Sequence, residues 1–388
     1  MITRQDPVST VHIKGGGGEN HWCRGVNAVY GGPVFTDVRG SYDARFAGVA
    51  EALAASLNAD DVGASAAVYI DGEPVVDIWG GYADADRTVM WEADTIVNVW
   101  STTKTMVALC ALILADRGEL DLNMPVARYW PEFAAAGKHD VLVRHLLGHT
   151  AGLPVWDDPV AATDLYSWPT VTARLAGQSP QWEPGTEGGY HSITFGFLVG
   201  EVIARVTGRS VGTFFAEEVA APLCADFHIG LAPEHDHRVA ALIPAPEGDR
   251  PDGFSVGVSD ANTPAWRRAE IPAINGHGNA RSVAAIQSIL ACGGSVGGVR
   301  LLSQPGCDRV FEEQFHGRDR VLEQPIRWGM GYRLEGRTCS WGGWGGSLVL
   351  VDFEHRMAVS YVMNQMLWTD DNMRALSILI AAYDALTA

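Results

Sequence analysis

Residues 99–113 read VWSTTKTMVALCALI. Apolar side chains at Met106, Val107, Leu109, Cys110, Leu112 and Ile113 follow a polar opening, and Gly118 stands where the pattern stops, so the spacing predicts a strongly apolar helix over 102–117. At its entrance Ser101 and Lys104 are three residues apart, and on a helix such positions share a face. A hydroxyl with an amine in reach and a positive helix end beside it has what a nucleophile needs. Without the Lys, a Ser at a helix entrance would read as an N-cap.

The rest of the composition sharpens that reading. The chain has 388 residues, 28 Lys and Arg against 46 Asp and Glu, and a net charge of −18. Its length allows two or three compact units with a substantial core and a cleft. The negative field repels phosphate backbones and anionic lipid headgroups, so no nucleic-acid partner is expected. No apolar run reaches the ~18 residues of a membrane span, and Met1-Ile2-Thr3-Arg4-Gln5-Asp6-Pro7 has no apolar stretch behind Arg4, so a cytoplasmic, membrane-free protein is expected. The six cysteines, Cys23, Cys110, Cys224, Cys292, Cys307 and Cys339, are scattered, and the expectation is reduced, buried thiols. Of the 28 basic residues 25 are Arg, and only Lys14, Lys104 and Lys138 are Lys. Where Arg is so favoured, a Lys inside the chain points to a base, because an ammonium can give up its proton and a guanidinium cannot.

Along the chain, residues 1–38 carry Gly15-Gly16-Gly17-Gly18 without periodicity and read as an arm. Apolar spacing over 43–57 predicts a first helix, and 65–70 and 75–79, joined through Asp71-Gly72, read as a hairpin. Helices are expected over 141–147, 193–206 and 280–291. Strands return at 331–334, 347–351 and 357–362, with a last helix over 371–386. The expected organisation is an α/β domain made of 39–94 and 311–388, a mainly helical domain over 95–310, and an active site between them.

Two further segments carry chemistry. Tyr190-His191-Ser192 follows the turn-rich Trp182-Glu183-Pro184-Gly185-Thr186 and leads into a helix, where a Tyr can act as a base if cations favour its phenolate. Trp341-Gly342-Gly343-Trp344-Gly345-Gly346-Ser347 precedes a strand, and its glycines would let backbone N–H groups approach a substrate carbonyl. Gly-x-Ser-x-Gly occurs at 253–257 and 293–297, but neither Ser255 nor Ser295 sits between a strand and a helix as a nucleophile elbow requires. His145 and His149 lack the Glu of His-Glu-x-x-His, and His235-Asp236-His237 falls short of the His-x-His-x-Asp-His run of metallo-hydrolases, so all four read as turn or loop residues.

The order Ser-x-x-Lys, Tyr-x-Ser, Gly-rich edge strand resembles the serine β-lactamase and penicillin-binding-protein superfamily, and within it family VIII carboxylesterases. The resemblance spans roughly 40–388 and includes 99–104, His145-Leu146-Leu147-Gly148-His149-Thr150-Ala151-Gly152-Leu153, 182–186 and 341–343. It implies an α/β (α+β), β-lactamase-like fold, an antiparallel sheet flanked by terminal helices with an inserted helical lobe. It implies Ser101 as nucleophile, Lys104 and Tyr190 as the proton-transfer pair, and an oxyanion hole from the N–H groups of Ser101 and Trp344. Ser192, Trp341, Gly342 and Gly343 become substrate-binding candidates. Many relatives have Asn where this chain has Ser192, and Lys-Thr-Gly where it has Trp341-Gly342-Gly343, which removes a cation suited to a substrate carboxylate. The expectation is a cofactor-free serine hydrolase of small, short-chain carboxylic esters. The alternatives are acyl transfer or cleavage of an amide, a β-lactam or a D-amino-acid peptide on the same scaffold, and, further off, a non-catalytic ligand-binding homologue.

Overall fold

A computed structural model describes residues 38–246, 248, 255–368 and 372–387. Most of the expected arm, with Gly15–Gly18 and Cys23, lies outside these residues, as do Gly253 and Phe254.

Nine strands form one antiparallel sheet. In spatial order they are Val38–Tyr42, Glu73–Gly81, Gly63–Ile70, Met357–Met363, Leu348–Asp352, Thr338–Gly342, Arg333–Glu335, Pro325–Trp328 and Phe315–Arg318. The hairpin arises where its sequence places it, because Asp71 and Gly72 both take positive φ, +53° and +82°, as a tight turn between twisted strands demands. Glu73–Gly81 alternates, burying Val76 and Ile78. Met357–Met363 is buried at every position, so both faces of the sheet are covered at its centre. Helices Ala47–Ala59 and Arg374–Thr387 pack on each other and on the sheet, while Ala280–Ala291 packs on Gly63–Ile70 and Met357–Met363. The chain thus has the α/β, β-lactamase-like architecture, with the helices of the two chain ends flanking one antiparallel sheet.

The first helix is delayed by a turn. Asp43 caps a 3-10 turn, Ala44–Phe46, by accepting from the Arg45 amide at 3.0 Å, and the α-helix starts at Ala47. Residues 331 and 332 lie outside the strand expected there, since Gly331 adopts φ +86° and the strand begins at Arg333. The glycine-rich segment does not mark an edge strand. Thr338–Gly342 is interior, and the sheet continues past it through Pro325–Trp328 and Phe315–Arg318, strands whose Pro, Gly and charged residues hide their character from pattern reading. Cys110, Cys292, Cys307 and Cys339 are free and buried, but Cys224 is not among the free thiols, so the expectation of six reduced cysteines does not extend to it.

Between the hairpin and the later strands, Thr103–Asp116 runs through the core. It is buried from Thr103 to Leu114, as befits a helix apolar all round. Thr194–Thr207 packs on it and is covered in turn by Val143–Leu147 and Trp168–Gly177; it ends at Gly208, φ +70°, a left-handed cap open to glycine.

One buried ion pair joins the C-terminal helix to this frame. Arg374 Nη1 lies 2.5 Å from Asp61 Oδ1, with side-chain exposures of 2% and 0%. Asp61 also accepts from Tyr361 and Ser56, and Arg374 also donates to the carbonyls of Gly345 and Gln365. Removing one partner strands a charge in the core. Arg374→Met is therefore expected to destabilise the protein by about 3–5 kcal/mol, measured by urea unfolding. A loss below about 1 kcal/mol would show that the pair is worth no more than an exposed one.

Candidate active site

The entrance to the central helix is a turn rather than a capped helix end. Val99, Trp100 and Thr102 are buried, and Trp100 takes φ +48°, a conformation uncommon for a bulky side chain. The 3-10 turn Trp100–Thr102 passes into Thr103–Asp116 with no side-chain cap. Ser101, half-buried, spends its hydroxyl elsewhere: Lys104 Nζ lies 2.9 Å from Ser101 Oγ, and the Tyr190 phenol donates to the same oxygen at 2.8 Å. The structure brings these three candidate residues to one point.

Lys104 is fully buried, donates to the Ala273 carbonyl at 3.0 Å, and has no ion-pair partner among the described residues. Burial without a counter-charge pushes its pKa well below the usual lysine range, toward the free amine. Burial acts on Tyr190 in the opposite sense. Burial raises its pKa, and hydrogen bonds with Ser101 and the Trp341 indole N–H, the latter at 3.2 Å, do not reverse this. Burial thus favours the proton on the phenol and disfavours the charge on the amine.

Tyr190 is held from behind. The 182–191 loop lies on the turn after Val143–Leu147: the Gly185 amide donates to Thr150 O at 2.8 Å, the Gly189 amide to His149 O at 3.0 Å and the His191 amide to His149 Nδ1 at 3.1 Å. The His149 ring packs 5.1 Å from Tyr190, 5.0 Å from Phe195 and 4.4 Å from Trp328. Burial lowers the pKa of both histidines, to about 4 for His191. His191 Nε2 accordingly accepts from the Leu153 amide at 3.0 Å. The loop role expected of His149 becomes a supporting one beneath Tyr190. His145 Nδ1 accepts from the Leu142 amide at 3.2 Å, and His237 lies in the Pro233–Arg238 turn with Nδ1 2.8 Å from the Glu234 carbonyl. Among the described residues no group of three or more His, Cys, Asp or Glu could hold a metal.

The glycine-rich segment faces the same turn. Ser347 Oγ donates to Val99 O at 2.8 Å and lies 3.0 Å from Thr102 Oγ1. A β-carbon on Gly343 would meet Val99 O at 2.2 Å and the Ser101 amide nitrogen at 3.2 Å, so only glycine permits this approach. Trp344 follows directly, its ring 5.0 Å from Trp100 and 5.3 Å from Trp368. Trp341 instead packs on Tyr190, at 4.9 Å, and on Trp328, at 4.8 Å. Gly342 is half-buried at the end of Thr338–Gly342, and Ser192 is half-buried with no side-chain hydrogen bond among the described residues. Ser255 is exposed, and Ser295 lies in the two-residue strand Ser295–Val296 after a helix.

Sequence reasoning overlooked Asp319, Trp328 and the Ala273 carbonyl. Asp319 accepts from the Tyr190 amide at 3.0 Å and from Trp328 Nε1 at 2.9 Å. No local pattern announces these partners, since each lies far from residue 190 or 104 along the chain.

The chain as a whole has known relatives. The family model for beta-lactamase matches residues 50–383. The esterase/beta-lactamase LipL of Mycobacterium tuberculosis is 34% identical over 376 residues, covering 89% of this chain and 87% of its own. Esterase EstB of Burkholderia gladioli is 33% identical over a shorter span, 42% of this chain and 45% of its own. Among solved structures, a family VIII carboxylesterase superposes with a TM-score of 0.85 at 40% identity, over 90% of this chain and 100% of that one. A penicillin-binding protein homologue from Caulobacter crescentus gives the same TM-score and coverage at 35% identity. With a family match across most of its length and a relative of this identity aligned nearly end to end, the chain belongs to the beta-lactamase family.

Proposed function

We propose that the protein is a serine carboxylesterase acting on small, short-chain esters through an acyl-enzyme on Ser101. One observation carries the reading: a half-buried serine hydroxyl within hydrogen-bond reach of both a tyrosine phenol and a buried lysine amine that has no ion-pair partner among the described residues. In this mechanism Lys104 Nζ takes the Ser101 proton as Oγ attacks the ester carbonyl. The carbonyl oxygen, now negative, turns toward the N–H groups of Ser101 and Trp344. Tyr190 gives its proton to the departing alcohol and recovers one from Lys104. Water then repeats the sequence on the acyl-enzyme and releases the acid. The reading includes a cytoplasmic setting and no cofactor.

Ester rather than β-lactam cleavage is favoured by residues 341–346, Trp-Gly-Gly-Trp-Gly-Gly, which offer no cation for a drug carboxylate. The second reading, β-lactam turnover, draws on the relative LipL, an esterase/beta-lactamase by name. A strained lactam can still acylate Ser101, so mass spectrometry of the protein after exposure to short-chain p-nitrophenyl esters and to penicillins should find any adduct on Ser101. Turnover separates the readings. The expected kcat/KM on a short-chain ester exceeds that on any penicillin by at least about a hundredfold, roughly 2.7 kcal/mol of transition-state stabilisation. Equal efficiency on a penicillin would favour the lactamase.

The lysine sets the pH dependence. If the free amine is the working form, kcat/KM falls as pH drops through the Lys104 pKa and levels off above it. Burial lowers that pKa, so the acid limb is expected well below the ordinary lysine value of about 10.4. A pH–rate profile still rising through pH ~10 would contradict the role given to Lys104.

A further inference from the structure

The carboxylate of Asp319 is fully buried and has no ion-pair partner among the described residues. Its two arginine neighbours turn away: Arg320 pairs with Glu187 at 2.6 Å, and Arg318 stands 3.9 Å from Glu323. Four N–H groups satisfy it instead. Oδ1 accepts from the amides of Tyr190, at 3.0 Å, and of Val321 and Leu322, each at 2.9 Å, while Oδ2 accepts from Trp328 Nε1 at 2.9 Å. A buried carboxylate is costly unless its oxygens are filled this completely. Two of these bonds close the local turn, as an Asp commonly does. The other two reach outside it, to the strand Pro325–Trp328 and to Tyr190, 129 residues away.

The bond to Tyr190 matters because of what precedes that residue. Gly188 and Gly189 allow the backbone wide freedom. His149 secures the amides of residues 189 and 191, and the amide of 190 itself is secured by Asp319. The same carboxylate fixes Val321 and Leu322. Leu322 packs against the cluster of Tyr190, Ile326 and Trp328, and Val321 remains 41% exposed.

We propose that Asp319 is a positioning residue: through the Tyr190 amide it fixes where the phenol stands at Ser101, and through the amides of Val321 and Leu322 it fixes an apolar lip against the same phenol. The inference rests on Ser101 being the nucleophile. Its negative charge acts in the same direction as burial, opposing ionisation of the Tyr190 phenol and keeping a proton there for transfer.

A fluorophosphonate probe tests this apart from any particular ester. Ser101 Oγ attacks phosphorus, fluoride leaves, and the covalent adduct is counted by mass. Wild-type protein should label at Ser101; if it does not, the nucleophile reading fails and this proposal with it. Asp319→Ala, shown by its thermal melt to be folded, is expected to label about a hundredfold more slowly, the scale of a reacting group displaced by roughly 1 Å. Asp319→Asn keeps one oxygen for the three amides and loses only the Trp328 bond, so it should recover to within about tenfold of wild type. In ester kinetics the Asp319→Ala loss should fall on kcat more than on KM. Labelling of Asp319→Ala within about threefold of wild type, or a loss confined to KM, would overturn the proposal. If the Ala variant does not fold, Asp319→Ser, whose single short hydroxyl cannot reach all three amides, takes its place, and labelling within about threefold of wild type would then overturn the proposal.

Discussion

Ser101→Ala is expected to lower kcat on a p-nitrophenyl short-chain ester by at least about three orders of magnitude, since the covalent route disappears with the hydroxyl. What survives is binding and the backbone N–H groups, which accelerate attack by water only modestly. The side chain is half-buried and caps nothing, so the folded state should lose little. Ser255→Ala and Ser295→Ala serve as controls and should retain most activity. Lys138, the other lysine among the described residues besides Lys104, cannot serve either serine. Its amine is committed to the carbonyls of Ala135, Ala176 and Gln178. Turnover by Ser101→Ala near the wild-type rate would remove the proposed nucleophile, and a dead but folded Ser255→Ala or Ser295→Ala would point to an α/β-hydrolase elbow instead.

The second large effect separates charge from basicity. Lys104→Arg should be nearly as inactive as Lys104→Ala, although it keeps a positive charge one turn from Ser101. A guanidinium with a pKa above about 12 cannot take the serine proton, and its planar fork does not fit a site shaped around one Nζ between Ser101 Oγ and Ala273 O. Burial disfavours any charge at this position, so the Arg variant should also melt at a lower temperature. If purified, folded Lys104→Arg keeps about a tenth or more of wild-type kcat, Lys104 is an electrostatic partner and not the base. Tyr190→Phe removes only a hydroxyl, so it is expected to slow turnover while leaving the ring contacts with Trp341 and Trp328 in place.

The scarcity of lysine pointed to Lys104, and it applies equally to Lys138. Both are fully buried. Three N–H groups on one nitrogen suit three converging carbonyls, a geometry that a planar guanidinium cannot copy. Lys138 therefore has a structural reason to be lysine, and composition alone did not distinguish the two cases. The short strands between residues 315 and 328 were equally hidden. Phe315–Arg318 and Pro325–Trp328 have little strand character of their own and exist because each neighbour completes its hydrogen bonds.

What the sequence by itself determined was local. The three-residue spacing sets Lys104 one turn after Ser101 where the 3-10 turn Trp100–Thr102 runs into the helix Thr103–Asp116, and Asp71-Gly72 closes its hairpin whatever surrounds it. The tertiary structure decided the rest. Tyr190 reaches Ser101 across 89 residues, and Asp319 reaches Tyr190 across 129, contacts that no periodicity encodes because they depend on how the 182–191 loop and the 315–328 hairpin come to rest on the body of the protein. The protonation of the site belongs to the same category. The pKa of Lys104 is lowered and that of Tyr190 raised because the assembled core excludes water from both, and desolvation is a property of the packed molecule rather than of any stretch of chain.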